Sequence, residues 1–178
     1  MKHGSLYSVV FTVLLCGVGA ALLAFAHVQW APKIRANEGF ARTRALVDVM
    51  GLLQDEMTRK QVISVYNGQF KETRKGAMDV LEARVDGTLI GYAIDVLTQG
   101  KYGPIKGVLA ISPDMQRIKG LRIYQQNETP GLGGRISEPG WLAGFNGIPL
   151  VTDGAPGIII SSTAKGPNVV DSITGASK

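Results

Sequence analysis

The N-terminal part of the chain is apolar on every side, without the alternation of a half-buried element. Residues Leu6 to Ala26 form a run of 21 residues without a charge. A helix needs about 20 predominantly apolar residues to cross the roughly 30 Å hydrocarbon core of a bilayer. Trp30 follows the run, at the position where interfacial aromatic residues are enriched. The pattern therefore predicts one retained transmembrane helix.

Two other interpretations of this run stay open. Ala24-Phe25-Ala26 has the A-x-A form of a signal-peptide cleavage site, and Lys2 precedes the run. Val13-Leu14-Leu15-Cys16 weakly resembles a lipoprotein box. Either would remove residues from the mature chain, and we prefer the retained anchor.

The charges beside the run do not settle its orientation. Four basic residues follow it, at positions 33, 35, 42 and 44, whereas Lys2 alone precedes it. Simple positive-inside counting would place the C-terminal domain in the cytoplasm. Long domains, however, translocate largely regardless of charge, so the count leaves the orientation open.

The remaining pattern predicts one α+β domain. Apolar residues at 46, 50, 53 and 57 have helical spacing and predict a helix over residues 37–60, and Ser137–Phe145 predicts a second, short helix around Trp141. Turn residues at Asp86-Gly87 and at Ser112-Pro113-Asp114 separate runs of alternating apolar residues. The predicted strands are Ala77–Val85, Thr88–Leu97, Ile105–Ile111, Ile118–Tyr124 and Ile158–Ser161. Strands joined by tight turns favour an antiparallel sheet with packed helices.

Composition restricts the chemistry of this domain. Cys16 is the single cysteine, which excludes an intrachain disulfide, a zinc–thiolate site, CxxCH haem attachment and an iron–sulfur cluster held by this chain alone. The two histidines, His3 and His27, lie at the edges of the apolar run and leave little for a histidine–metal centre. A formal net charge of +5 is compatible with an anionic partner, such as nucleic acid, a phosphate ligand or lipid headgroups. Because the chain has no aromatic–basic stripe, we predict no nucleic-acid partner.

A glycine-rich turn, Glu128–Arg135, is the first candidate site. Its sequence is ETPGLGGR, and glycines allow a backbone to approach a ligand and to present N–H groups to an anion. It is not a Rossmann fingerprint, because Ile136 occupies the final glycine position, and no GK[ST] follows as in a Walker A loop. A purely structural turn is the alternative.

A C-terminal motif, Asp171–Ser177, is the second candidate site. Its sequence is DSITGAS, and it closely follows Lys165-Gly166-Pro167. Hydroxyl groups beside Gly175 and Ala176 are open to a bulky reagent. No histidine belongs to this domain, so a Ser-His-Asp triad is excluded, and an ordinary surface turn is the alternative.

Together the two motifs resemble the FMN-binding domain of the G subunit of Rnf electron-transport complexes. The chain is also similar to the C subunit of the sodium-translocating NADH:quinone reductase. The resemblance covers nearly the whole chain and includes Gly91-Tyr92-Ala93 and Gly100–Ile105. It implies an α+β fold, with a single transmembrane helix before one FMN-binding domain.

The resemblance also implies covalent attachment of FMN. The phosphate of FMN would form an ester with the last hydroxyl of the C-terminal motif, which here is Ser177. The family's acceptor is usually threonine, and serine carries the same nucleophilic hydroxyl. A flavin transferase that uses FAD would recognise the surrounding frame, which consists of Asp171, Thr174, Gly175 and Ala176.

Further cofactor contacts follow from the same resemblance. The residues of the glycine-rich turn expected at the flavin are Glu128, Thr129, Gly131, Leu132 and Gly133. Lys165 is placed near the phosphate by its charge alone. In relatives the chain usually continues beyond this motif, so we expect either a short variant or a sequence that ends before the natural C-terminus.

The function implied is that of an electron-transfer subunit in an ion-translocating Rnf-type ferredoxin:NAD oxidoreductase. Such a subunit is a redox relay within a complex rather than an enzyme by itself. Its partners would be the other membrane and redox subunits, the flavin transferase and membrane lipid. The resemblance puts residues 1–32 in the cytoplasm and cytoplasmic (inner) membrane, and residues 33–178 outside. A stand-alone membrane-anchored flavoprotein and a non-redox assembly subunit are the alternatives.

Overall fold

The computed structural model describes residues 3–152 and 154–173, in two compact units, Met1–Gly39 and Phe40–Lys178. The first helix, α1, extends over His3–Val49 and includes Pro32. An 18-residue stretch of this helix has a mean hydropathy of 2.5, and none of it is buried. The predicted N-terminal apolar helix is confirmed, and its length and composition suggest single-pass membrane anchoring.

The prediction of one helix over residues 37–60 is wrong. Helix α1 ends at Val49, and Gly51 follows with a left-handed φ of +77°. The Gly51 N–H donates to Asp48 O (2.8 Å) and the Leu52 N–H to Val47 O (2.9 Å), which is a Schellman termination. Helix α2, Arg59–Gln69, begins separately because Thr58 and Gln61 form a capping box.

Five consecutive antiparallel strands form the main sheet, in the order of the sequence. They are β1 (Phe70–Lys75), β2 (Met78–Val85), β3 (Thr88–Gln99), β4 (Pro104–Ile111) and β5 (Ile118–Gln125). Positive φ angles at Asp86 (49°) and Gly87 (80°) match a type I′ hairpin. The four strands predicted in this region are confirmed with shifts of at most two residues at their ends. Strand β1 was not predicted, because FKETRK contains a single apolar residue and lies at the sheet edge.

Shorter elements follow the sheet. A 3₁₀ helix, Gly133–Ser137, leads into helix α3, Pro139–Ala143. The predicted helix over 137–145 is therefore shorter, because Pro139 occupies its first turn. Strands β6 (Val151–Thr152) and β7 (Ala155–Pro156) pair antiparallel, and β8 (Ile159–Ser161) and β9 (Val169–Asp171) pair parallel.

The last turns of α1 pack on one face of the sheet. Leu46 is fully buried there, with Val49 and Met50, against small sheet residues such as Ala93 and Ala110. A second cluster joins β5, α3 and β9 through Ile118, Leu121, Leu142, Phe145, Ile148 and Val170. The second cluster therefore packs β5 against α3, and the glycine-rich turn lies in the segment that connects these two elements.

Candidate flavin site

A cavity of about 250 Å³ lies between the end of β3 and the glycine-rich turn. One wall comes from the β3–β4 connection, Gly100–Gly103, which we call the connecting loop. The other wall comes from the glycine-rich turn and the start of the 3₁₀ helix. The lining residues are Gln99, Gly100, Lys101, Tyr102, Ile105, Glu128, Thr129, Leu132, Gly133 and Ile136.

The backbone of the glycine-rich turn is held by its own hydrogen bonds. The Thr129 carbonyl accepts from the Leu132 N–H (3.1 Å) and from the Gly134 N–H (3.0 Å). Gly131 has a φ of +74°, a conformation that costs glycine nothing and L-residues about 1 kcal/mol or more. The sequence P-G-L-G-G therefore produces a tight turn that continues directly into the 3₁₀ helix.

The connecting loop closes in a similar way. The Gly100 N–H donates to Gly103 O (2.9 Å), and Gly103 has a φ of +147°. The Tyr102 N–H donates to Glu128 Oε1 (3.1 Å), which joins the two walls. A Cβ on Gly103 would lie 3.0 Å from Asn127 Nδ2, so the loop also approaches the residue before Glu128.

The cavity walls combine apolar surface with two charges. Tyr102 and Leu132 are 56% and 45% exposed, which leaves their apolar atoms accessible to a ligand. Lys101 Nζ lies 5.4 Å from the centroid of the Tyr102 ring, and Glu128 supplies a carboxylate on the opposite wall. The cavity is therefore lined by apolar surface and by one charge of each sign.

The volume fits partial enclosure of a flavin. Pockets that bury most of a drug-sized ligand measure roughly 300–1,000 Å³. The observed 250 Å³ lies just below that range, so a flavin bound here keeps part of its surface outside the cavity. Gly133 lies on the lining surface, and the space left by its missing Cβ is taken up by the Glu128 side chain.

The start of the C-terminal motif is attached to α3. The indole N–H of Trp141 donates to Asp171 O (2.7 Å), and the Ser172 N–H donates to Ser161 O (3.3 Å). Trp141 also packs edge-on against Phe145, with ring centroids 4.9 Å apart. The carbonyl of Asp171 is thus fixed to the element that follows the glycine-rich turn.

The structure brings together only some of the predicted site residues. Glu128, Thr129, Leu132 and Gly133 line the cavity, and Gly131 lies in the same turn. Lys165 is exposed in the β8–β9 connection, and within the described ranges neither Lys165 nor Asp171 lines the cavity. The positions of Thr174, Gly175, Ala176 and Ser177 lie outside the described residues.

The connecting loop is the part of the cavity that sequence reasoning did not assign to the site. Gly100–Ile105 carries part of the family resemblance, and its Tyr102 could touch a flavin ring, but core packing is the more common role of an aromatic residue at such a position. The signal available in the sequence was a pair of glycines, Gly100 and Gly103, on either side of Tyr102 and between two predicted strands. Gln99 and Ile136 carry no such signal, because they reach the cavity through the pairing of β3 with β4 and through the path of the 3₁₀ helix.

An apolar N-terminal helix, an antiparallel sheet and this cavity define a class of anchored cofactor-binding α+β proteins. Residues 100–178 match the family model described as the FMN-binding domain. The chain is 24% identical to the C subunit of the Na⁺-translocating NADH-quinone reductase of Pseudomonas aeruginosa, across 95% of this chain and 84% of that protein. It is also 24% identical to the G subunit of the ion-translocating oxidoreductase complex of Methanosarcina acetivorans, across 94% of this chain and 82% of that protein. The chain is therefore a homologue of these two proteins.

Two solved structures share the fold. NqrC of Shewanella oneidensis superposes with a TM-score of 0.61 at 18% identity, over 75% of this chain and 82% of that chain. The C subunit of the Na⁺-translocating NADH-quinone reductase from Parabacteroides distasonis gives a TM-score of 0.62 at 22% identity, over 80% of this chain and 84% of that chain. The antiparallel-sheet FMN-binding fold predicted from the sequence is confirmed.

Proposed function

We propose that this chain is an electron-transfer subunit of a membrane-bound, ion-translocating Rnf-type ferredoxin:NAD oxidoreductase complex. The observation that carries the proposal is the cavity framed by the glycine-rich turn, inside the region that matches the FMN-binding domain. Alignment with the Methanosarcina protein along 94% of this chain supports the same assignment. The other membrane and redox subunits of such a complex are the proposed partners.

FMN in this chain is proposed to be covalent, through Ser177. The Ser177 oxygen attacks the flavin-side phosphorus of FAD under the action of a flavin transferase. A new P–O bond forms, AMP leaves with the bridging oxygen, and the serine proton is released to solvent. Five residues lie between Asp171, whose carbonyl accepts from Trp141, and Ser177. Six residue steps of about 3.3–3.6 Å limit the acceptor to roughly 20 Å from Asp171.

The cavity suits a tethered redox carrier. Bound FMN supplies one- and two-electron chemistry, whereas the protein supplies position and electrostatics. Lys101 places a positive charge at the wall and favours negative charge on a bound ring or phosphate. A partly open cavity leaves part of the ring accessible to donor and acceptor, and the tether makes tight non-covalent binding unnecessary.

The apolar helix is proposed to cross the cytoplasmic (inner) membrane once. Residues 1–32 would form the cytoplasmic N-terminus and the anchor, in contact with lipid, and residues 33–178 the extracytoplasmic flavin domain. The uncharged run of Leu6 to Ala26 and its exposed side chains support the anchor. An extracytoplasmic flavin domain agrees with the proposed covalent link, because such a link would prevent loss of the cofactor in a compartment without flavin supply.

The test is the intact mass of the full chain after coexpression with a flavin transferase. We expect the mass of one FMN less one water, and a fluorescent band on a denaturing gel under ultraviolet light. Ser177→Ala should abolish both, whereas the control Ser172→Ala, which removes a neighbouring hydroxyl, should retain both. An unmodified wild-type chain would refute covalent attachment, and a modified Ser177→Ala chain would place the acceptor elsewhere. Purification in mild detergent separates the alternatives: a labelled chain without membrane partners is a stand-alone flavoprotein, and an unlabelled chain within a complex is an assembly subunit.

A further inference from the structure

The side chain of Glu128 is engaged with the protein rather than directed freely into the cavity. Its Oε1 accepts the Tyr102 N–H at 3.1 Å, across 26 residues of sequence. Its own N–H donates to Gln126 Oε1 at 2.6 Å, which fixes the backbone from which the carboxylate projects. Glu128 itself is half-buried, whereas its hydrogen bond to the exposed Tyr102 is accessible to solvent.

Two glycines leave the space that this carboxylate occupies. A Cβ on Gly100 would overlap Glu128 Oε1 and would lie 2.9 Å from Ile105 Cδ1. A Cβ on Gly133 would lie 3.1 Å from both Oε2 and Cβ of Glu128. One glycine belongs to the connecting loop and the other to the glycine-rich turn, so the carboxylate fills the contact between the two walls.

We propose that Glu128 is a positioning residue that holds the two walls of the cavity together. It acts as the acceptor for the Tyr102 N–H and as the spacer between Gly100 and Gly133. This assignment replaces the direct flavin contact expected for Glu128, because its Oε1 is engaged by the Tyr102 N–H. The effect of this contact on an FMN site rests on the proposed function. The contact between the two walls does not depend on that function.

The proposal requires an oxygen acceptor at position 128 and does not require a negative charge there. Glu128→Gln retains an oxygen of the same reach and should keep the Tyr102 hydrogen bond. Glu128→Ala removes the acceptor and leaves the Tyr102 N–H without its protein partner. If the charge itself were essential, the two variants would behave alike.

The first measurement is hydrogen exchange of the Tyr102 amide, in the full-length chain in detergent, expressed without a flavin transferase. Glu128→Ala should accelerate this exchange about fivefold or more, as expected on losing one hydrogen bond. Glu128→Gln should change it by less than about threefold. Glu138→Ala is the matched control, because the Glu138 carboxylate pairs with the nearby Arg135 (3.3 Å) and its loss should leave Tyr102 unaffected. Unchanged exchange in Glu128→Ala, or equal acceleration in both Glu128 variants, would overturn the proposal.

A second variant perturbs the contact without touching the carboxylate. Gly133→Ala should displace Glu128 and accelerate exchange at Tyr102, whereas Gly140→Ala, whose Cβ meets no atom within 4 Å, should not. Cooperative thermal unfolding of each variant confirms that it is folded. A folded Gly133→Ala chain with wild-type exchange at Tyr102 would contradict the spacer role.

The flavin-loaded chain then tests the consequence for the site. Iodide quenching of the flavin should increase in Glu128→Ala, with the amount of attached FMN unchanged, and Glu128→Gln should behave as wild type. Quenching identical in Glu128→Ala and wild type would contradict the role at the flavin. A wild-type chain that takes up no FMN would refute the proposed function, while the exchange result without flavin would still decide whether Glu128 joins the walls.

Discussion

Replacing Trp141 with phenylalanine should loosen the chain just before the proposed flavin acceptor. The indole N–H donates to Asp171 O at 2.7 Å, and phenylalanine has no donor for it. A typical hydrogen bond contributes about 0.5–1.5 kcal/mol to the free energy of unfolding. Because Asp171 is exposed, its carbonyl can accept from water instead, and we expect a loss of about 1 kcal/mol. Phenylalanine can retain the edge contact with Phe145, so the loss of ring packing is small.

Urea and thermal unfolding of the full chain in detergent measure this loss. One kcal/mol corresponds to a decrease in Tm of roughly 2–4 °C for a chain of this size. Amide exchange of Ser172 should accelerate as well, because the fixed Asp171 carbonyl lies next to the bond from Ser172 to Ser161 O. Trp30→Phe is the control, since it makes the same chemical change at a residue that is 57% exposed on α1. A Trp141→Phe chain with wild-type unfolding free energy and wild-type exchange at Ser172 would refute the reasoning.

Two further predictions concern packing and pH. Leu46→Ala should lower the free energy of unfolding by about 3 kcal/mol, because Leu46 is fully buried where the end of α1 meets the sheet. Leu97→Ala is the control and should lower it little, because Leu97 is 72% exposed. Urea unfolding of the two variants and the wild type measures the difference. Desolvation by burial lowers the pKa of Lys119, whose Nζ donates to Ile90 O at 3.0 Å. Between this lowered pKa and the ordinary lysine pKa, the unfolded chain therefore binds more protons than the folded chain. Stability should therefore rise as the pH increases through that range, and unfolding measured at several alkaline pH values should show a smaller rise in Lys119→Gln. An equal rise in both chains would contradict the assignment to Lys119.

Much of the fold was predictable because its signals are local. The strands β2 to β5 follow from apolar alternation and from turn residues such as Asp86-Gly87, whose positive φ angles match the hairpin. The helix break at Gly51 had local signals as well, namely the glycine itself and the Thr58–Gln61 capping box. The spaced apolar residues at 46, 50, 53 and 57 outweighed these signals, and a single long helix was predicted wrongly. Strand β1 gave no local signal, because its polar sequence is stabilised by pairing with β2.

The candidate site also has one part that was predictable from the sequence and one part that was not. The glycine-rich turn was recognisable from its sequence, since glycine content and spacing are visible without a structure. The second wall of the cavity was not, because it depends on which loop the turn meets across the sheet. The Tyr102–Glu128 hydrogen bond joins residues 26 positions apart, and no periodicity or motif records such a pair.

The sequence by itself determined the apolar helix, the antiparallel strands and the resemblance to flavin-binding subunits, because run length, alternation and short motifs are properties of neighbouring residues. The tertiary structure decided that the connecting loop completes the cavity and that Trp141 fixes the carbonyl of Asp171. It also changed Glu128 from a proposed cofactor contact into the residue proposed to join the walls. Such roles depend on distances between segments, and these distances are set only when the last turns of α1, the sheet and α3 pack together.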